Sequence, residues 1–296
     1  MSKQNKNNKP YLVLMMIFIV LFLCCVIWLI YYFIGLKRAE NQMQHIQESY
    51  VSAGSEESSE SLPPETTEQV PEESTESGEQ IESTEIEESK PDLSIYGVTD
   101  KTIDFEALKT EVNPDIYAWI TVPGTVIDYP VLQHPDEMDY YLEYNLDGSK
   151  GYPGCIYTQR MNAKDFNDPN TVLYGHNMKN GTMFAALHKY KDPTFFNDNK
   201  YIHIYTEDNR ILVYEIFAAY VYTDMHLLIG FDLHTESGIQ YYFDSIRTNE
   251  GISNVFDNDI ELDADSKVIT LSTCISNKPK NRFLVQGVLI AEGEQQ

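Results

Sequence analysis

The sequence predicts a mostly antiparallel β-barrel decorated by helices and preceded by one transmembrane helix, on three observations. Residues 11–36 form an uncharged run of 26. At about 1.5 Å per residue, that run can cross a roughly 30 Å hydrocarbon core with some tilt. Residues 51–90 hold 13 glutamates against one lysine and almost nothing apolar, a composition that cannot offset its own ordering entropy. From residue 91 to 296 the chain turns globular. There, short β-branched and aromatic runs recur at regular spacing between turn signals, with a few helical stretches inserted.

The apolar run is read as an uncleaved anchor. A signal peptide would have a shorter apolar region of roughly 7 to 15 residues with small residues close behind it, whereas Lys37 and Arg38 follow here. Lys3, Lys6 and Lys9 precede the run, a bias of one positive charge toward an inside N-terminus. Cys24 and Cys25 lie within the run as small hydrophobes. The predicted division is 1–10 as a cytoplasmic N-terminal segment, 11–36 as the membrane helix, 37–90 as a juxtamembrane segment with an acidic disordered linker, and 91–296 as an extracellular globular domain. Residues 91–296 alone carry −16 of the net −25, and an acidic globular portion argues against nucleic acid as a partner.

Within the globular part, residues 104–108 open a short helical stretch that stops before Asn113-Pro114. Residues 118–122 and 126–132 flank Pro123-Gly124 as a hairpin, and 139–144 form a helical turn. Residues 154–157 and 171–174 read as strands, 183–189 as a helix, and 201–206 with 211–222 as a second hairpin around Asp208-Asn209. Ile239, Tyr242, Phe243 and Ile246 recur at helical spacing, as core packing of a helix over 236–248. The alternating acids Asp257, Asp259, Glu261, Asp263 and Asp265 read as a solvated strand face, since the glycine and terminal glutamate of a calcium loop are missing.

The stretch with chemical content is Val268 to Leu289. Two apolar runs flank a polar gap, with Cys274 ending the first run and Arg282 opening the second. Strand, loop and strand would set the thiol and the guanidinium across one loop mouth, where a fixed positive charge lowers a thiol pKa. By position alone a structural role for Cys274 is equally open. Cys155 lies between Gly154 and Ile156 in a strand-like run and reads as a buried apolar residue. A nucleophilic cysteine needs a proton carrier. Of the seven histidines, His176 stands out, at the exit of a strand in Tyr174-Gly175-His176-Asn177.

Thr270-Leu271-Ser272-Thr273-Cys274 followed by Arg282, with Tyr174 to Asn177 upstream, resembles the sortases, and class B above all. Trp119-Ile120, Pro123-Gly124-Thr125, Ile127 to Val131 and Asp139 to Leu142 extend the likeness over most of the globular part. The resemblance implies an eight-stranded sortase barrel, with residues 91–296 as the catalytic domain of a membrane-anchored cysteine transpeptidase on the outer face of a Gram-positive cell. It implies Cys274 as nucleophile, His176 as general acid and base, and Arg282 as the residue that holds substrate and steadies the oxyanion. Ser272, Leu142 and the backbone N–H of Ile275 follow as substrate contacts, and residues 275–281 as the rim of a peptide groove. The implied partners are surface proteins with a C-terminal sorting signal of the Leu-Pro-x-Thr-Gly or Asn-Pro-x-Thr type, and peptidoglycan or its lipid-linked precursor as amine acceptor. No cofactor or metal is implied. With ordinary pKa values near 6.5 and 8.5, only about 1% of molecules would hold imidazolium and thiolate together at neutral pH.

Departures and rivals are also legible. Ile275-Ser276 stands where class B members can carry an acidic or polar residue after the cysteine. A papain-like protease would need a Cys-Gly-Ser-Cys setting and a caspase a Gln-Ala-Cys one; neither is present in this chain. A tethered surface protein without enzymatic activity would share the anchor and the acidic stretch.

Overall fold

The computed structural model describes residues 9–53, 91–99, 101–249, 251 and 253–295. The acidic stretch from 54 to 90, expected to be a disordered linker, lies outside the described residues.

A single helix runs over Lys9–Tyr50. At about 1.5 Å per residue its 42 residues reach roughly 60 Å, twice the thickness of a hydrocarbon core. Its first part exposes nearly every large apolar side chain from Tyr11 to Ile34, and it could span a membrane. Beyond Leu36 the character changes. Met43 packs against the protein core, Ile46 is buried, and Gln47 donates to the carbonyl of Asp128 at 2.7 Å. The helix feeds directly into β1 (Val51–Ala53), which pairs antiparallel with β2 (Lys101–Ile103).

The remaining strands are β3 (Ile116–Thr121), β4 (Asp128–Leu132), β5 (Ile156–Thr158), β6 (Asn170–Tyr174), β7 (Tyr201–Thr206), β8 (Arg210–Thr223), β9 (Val255–Phe256), β10 (Val268–Ile275) and β11 (Lys278–Glu294). Their order is β11-β10-β6-β5-β4-β3-β7-β8, and β11 pairs again with β8, so eight strands close into a barrel. β9 is a two-residue addition on the edge of β8. The pairs β10–β6 and β4–β5 are parallel, and the other barrel pairs are antiparallel. The predicted eight-stranded barrel with inserted helices is the observed architecture.

Side chains alternate between two clusters, as the pleat requires. Ala118, Ile120, Ile204, Leu212, Ile269, Leu271, Phe283 and Val285 belong to one core, while Trp119, Tyr205, Ile211 and Val213 pack with Ile46 into a second. A third core forms where Ile239, Tyr242, Phe243 and Ile246 of the helix Glu236–Ile246 cover β8, β10 and β11. Both strand faces are therefore buried, and the strands read as continuous apolar runs rather than strict alternations.

Three local expectations differ. The helix expected over 183–189 is a 3-10 helix, Phe184–Lys191. It buries Phe184, Leu187 and Tyr190, a spacing of three that suits three residues per turn. The acidic alternation is not a strand face. Past Phe256 the chain turns, because the carboxylates of Asp257 and Asp263 accept from the backbone N–H two residues on, at 3.1 and 3.2 Å. The expected loop over 275–281 shrinks to a two-residue turn at Ser276-Asn277, with Asn277 at φ 62°.

Candidate active site

β10 lies between β6 and β11, and this placement brings the chemistry together. In the antiparallel ladder with β11, Cys274 is the direct partner of Arg282. Directly opposed residues project to the same face of a sheet. In the parallel ladder with β6, the last register pair is Ser272 with Tyr174. His176 and Cys274 thus each lie two residues past the end of that ladder. Gly175 N–H still reaches the Ser272 carbonyl at 3.2 Å, and the Thr273 hydroxyl donates to the Gly175 carbonyl at 2.8 Å. Gly175 is required there: a Cβ would meet Ile156 and Phe184 at 2.5 and 2.8 Å.

The cleft at this barrel end has a volume of about 210 Å³. Leu142, His176, Ser272, Cys274 and Arg282 all line it, together with Tyr174 and His226. Cys274 is exposed, His176 and Arg282 are half-buried, and Ser272 is buried. The side chain of Ile275 is not in the lining. It packs against the main core, and Ile275 pairs with Lys278 beside the turn. A larger cavity of about 480 Å³, lined by Leu93, Lys101, Arg210 and Glu292, contains none of the six candidate residues.

The imidazole of His176 has its Nε2 2.7 Å from the carbonyl of Leu142. A carbonyl only accepts, so Nε2 carries the proton and Nδ1 is the nitrogen that can exchange one. The Tyr152 ring meets the imidazole edge-on, with centroids 5.0 Å apart. Arg282 is fixed through one arm of its fork, Nη1 donating to the carbonyls of Pro279 and Asn281 at 2.9 and 3.1 Å. Among the described residues, Nε and Nη2 carry no such bond. The floor is aromatic and neutral. Tyr157 and Tyr174 stack at 5.4 Å, and burial first, then Asp139, pushes both phenols well above their ordinary pKa.

The fold also places residues here that the sequence pattern did not mark. Asp139 accepts from Tyr157 at 3.0 Å and from Gln159 at 2.8 Å, and Gln159 meets His226 at 2.7 Å. The Cys274 carbonyl has Asn177 Nδ2 at 3.0 Å and His188 Nε2 at 3.1 Å. Asp139 and Asn177 lie within the Asp139 to Leu142 and Tyr174 to Asn177 stretches, but nothing in the pattern marked these contacts.

The barrel and its cleft match proteins already known. The sortase domain model matches residues 120–290, more than half of the chain. The chain belongs to the sortase family. Sortase B of Listeria monocytogenes is 33% identical over 186 residues, covering 62% of this chain and 72% of the relative. Sortase B of Clostridium perfringens superposes with a TM-score of 0.57 at 32% identity, over 64% of this chain and all of that one. A Staphylococcus aureus sortase B–substrate complex gives a TM-score of 0.55 at 28% identity, over 63% and 84% of the two chains. This sortase is of class B, and it is a cysteine transpeptidase that anchors surface proteins. The protease and non-enzymatic readings that the sequence left open are not favoured.

Proposed function

We propose that this sortase cuts a C-terminal sorting signal after threonine and passes the protein to a cell-wall amine, with Cys274, His176 and Arg282 as the working residues. The observation that carries the assignment is the register: Cys274 opposite Arg282 on β11, and His176 at the end of the neighbouring β6, all lining one cleft. The thiolate of Cys274 attacks the threonine carbonyl, and the electron pair moves onto oxygen. Arg282 donates N–H groups to that oxyanion from a fork already held by its own hairpin. The backbone N–H of Ile275 adds to the same hole. On collapse the C–N bond breaks, and His176 passes its Nδ1 proton to the departing amine, leaving a thioester. An incoming amine of peptidoglycan or its lipid-linked precursor gives a proton back to His176, attacks the thioester and releases Cys274. Ser272 and Leu142 flank the threonine as substrate contacts.

The same reading puts residues 11–36 across the membrane with the N-terminus inside and the barrel on the outer face, next to emerging wall precursors. Lysines on the N-terminal side and the exposed apolar helix support it. The test uses the full chain in detergent with a panel of Leu-Pro-x-Thr-Gly and Asn-Pro-x-Thr peptides, with and without an amine acceptor. A thioacyl adduct on Cys274 by mass spectrometry and amine-dependent product are expected. Cleavage that is indifferent to amine, or an adduct elsewhere, overturns the assignment.

A further inference from the structure

His176 and Cys274 both sit where the strand ladders give out. The β6–β10 ladder ends two residues earlier, and the β10–β11 register breaks between Cys274 and Ile275. The carbonyl of Cys274 is nevertheless held. Asn177, the residue after His176, donates to it through Nδ2, and His188 of the 3-10 helix approaches it through Nε2, at 3.0 and 3.1 Å. The two nitrogens converge on this one acceptor and lie 3.0 Å apart. Asn177 Nδ2 lies 3.4 Å from the Ser276 hydroxyl as well. The tautomer follows from the partners. Among the described residues, His188 Nδ1 is buried with no partner. An orphaned N–H is costlier than a bare lone pair, so the proton belongs on Nε2, where it meets the carbonyl. The ring packs on Phe283 with centroids 5.1 Å apart. Burial, with Lys191 next in effect, holds its pKa below the ordinary value and keeps the ring neutral.

We propose that Asn177 and His188 are positioning residues for the transpeptidation: they clamp the Cys274 carbonyl and so fix the nucleophile-bearing strand end against the loop that carries His176. The proposal rests on Cys274 being the nucleophile. Because the peptide unit is planar, pinning the carbonyl also fixes the plane of the Cys274–Ile275 bond. A shift of about 1 Å in such a pair lowers turnover by about 10²-fold.

The test measures kcat and KM for the full chain carrying Asn177→Ala, His188→Leu, these two together, His188→Gln and Cys274→Ala, with thermal melting of each. His188→Gln keeps an N–H donor at the distal position. Expected are a 10- to 100-fold fall in kcat for the Ala and Leu variants with KM within threefold, unchanged melting, non-additive loss in the double variant, and recovery in His188→Gln to within threefold. Wild-type kcat in Asn177→Ala and His188→Leu, or a His188→Gln variant as impaired as His188→Leu, overturns the clamp. So does a loss of activity that follows only a fall in melting temperature. Activity surviving in Cys274→Ala would instead overturn the nucleophile assignment itself.

A separate observation carries a second inference. β1 and β2 are register partners, Val51 with Ile103 and Ala53 with Lys101, so the C-terminal end of the helix is tied into the domain. Tyr50 is held too, its carbonyl accepting from Asp104 N–H at 3.0 Å and its hydroxyl donating to Glu111 at 2.7 Å. Upstream, Asn180 donates to Glu40 at 2.7 Å and Arg38 pairs with Asp147 at 3.5 Å. We infer that the Lys9–Tyr50 helix attaches the barrel to the membrane directly, independently of residues 54–90. The test places a protease site within residues 54–90 of the full chain in lipid nanodiscs. After cleavage the barrel should stay on the nanodisc and leave only on denaturation or with Ile46→Asp. Release under native conditions overturns the inference, and a chain that never enters the nanodisc overturns the membrane reading on which it depends.

Discussion

Two cysteine and histidine sets occupy two regions of one barrel, and their fates are opposite. In the cleft, Cys274 is exposed at a strand end and His176 is half-buried, bonded through Nε2. Against the second core, Cys155 and His203 are buried, at 4% and 1% exposure. Burial raises the Cys155 thiol pKa far above its ordinary value. It also pushes the His203 imidazole down to about 4, with the nearby Lys101 assisting. Both groups are thus kept neutral, the form that a low-dielectric interior tolerates. Residue type does not separate the sets. What separates them is what lies beside the strand: Cys274 and His176 sit at strand ends that open into the cleft, whereas Cys155, just before β5, and His203, within β7, are packed into the interior.

The sharpest contrast is expected in turnover. Cys274→Ala should lower kcat by at least about 10³-fold, whereas Cys155→Ala should leave it within a few-fold; steady-state transpeptidation with a sorting-signal peptide reads both, and the reverse pattern would undo the distinction. Next in size is Arg282→Lys. A lysine keeps the charge but cannot hold Pro279 and Asn281 and still present a second arm, so kcat should fall by about 10²-fold with little change in KM. Alkylation separates the thiols without any substrate. In a chain with Cys24 and Cys25 replaced by alanine, iodoacetamide should label Cys274 in the native state, and label Cys155 only as the barrel unfolds; equal native labelling of both would put Cys155 within reach of solvent.

The smallest effect concerns stability. The folded pKa of His203 is about 4 against an ordinary 6.5, so the unfolded chain takes up the proton first. Its neutral form costs nothing above about pH 6.5. As pH falls from there toward 4, stability should drop by at most about 3 kcal/mol. Urea denaturation between pH 4 and 7 should show this slope, and His203→Gln should flatten it.

The barrel was readable because its strands are β-branched and aromatic runs cut by Pro123-Gly124 and Asp208-Asn209, signals carried within a few residues of each other. The helix over residues 236–246 was readable for the same reason, through its four-residue stripe. Cys274, Arg282 and His176 stood out by position and by likeness to a family. The rest of the site depends on contacts that sequence distance conceals. His188 meets the Cys274 carbonyl 86 residues away, and Gln159 meets His226 across 67. The docking of the helix through Ile46 and β1 was hidden because an apolar run already accounts for the helix, and three residues make a faint strand. The acidic turns after Phe256 misled for the converse reason: alternation is a pattern of strands, but aspartate side chains capture their own backbone.

The double pairing of β11 has a temporal consequence. It joins β10 through a two-residue turn, yet its other edge must find β8, some 70 residues earlier, from Asn281 on Thr223 to Glu294 on Arg210. Pairings that distant form late, after loop closure has been met. Until β11 is seated, Arg282 has no fixed place and the cleft has no second wall. A chain still emerging would carry Cys274 without its partner on β11, and the cleft would be complete only when the last strand closes the barrel.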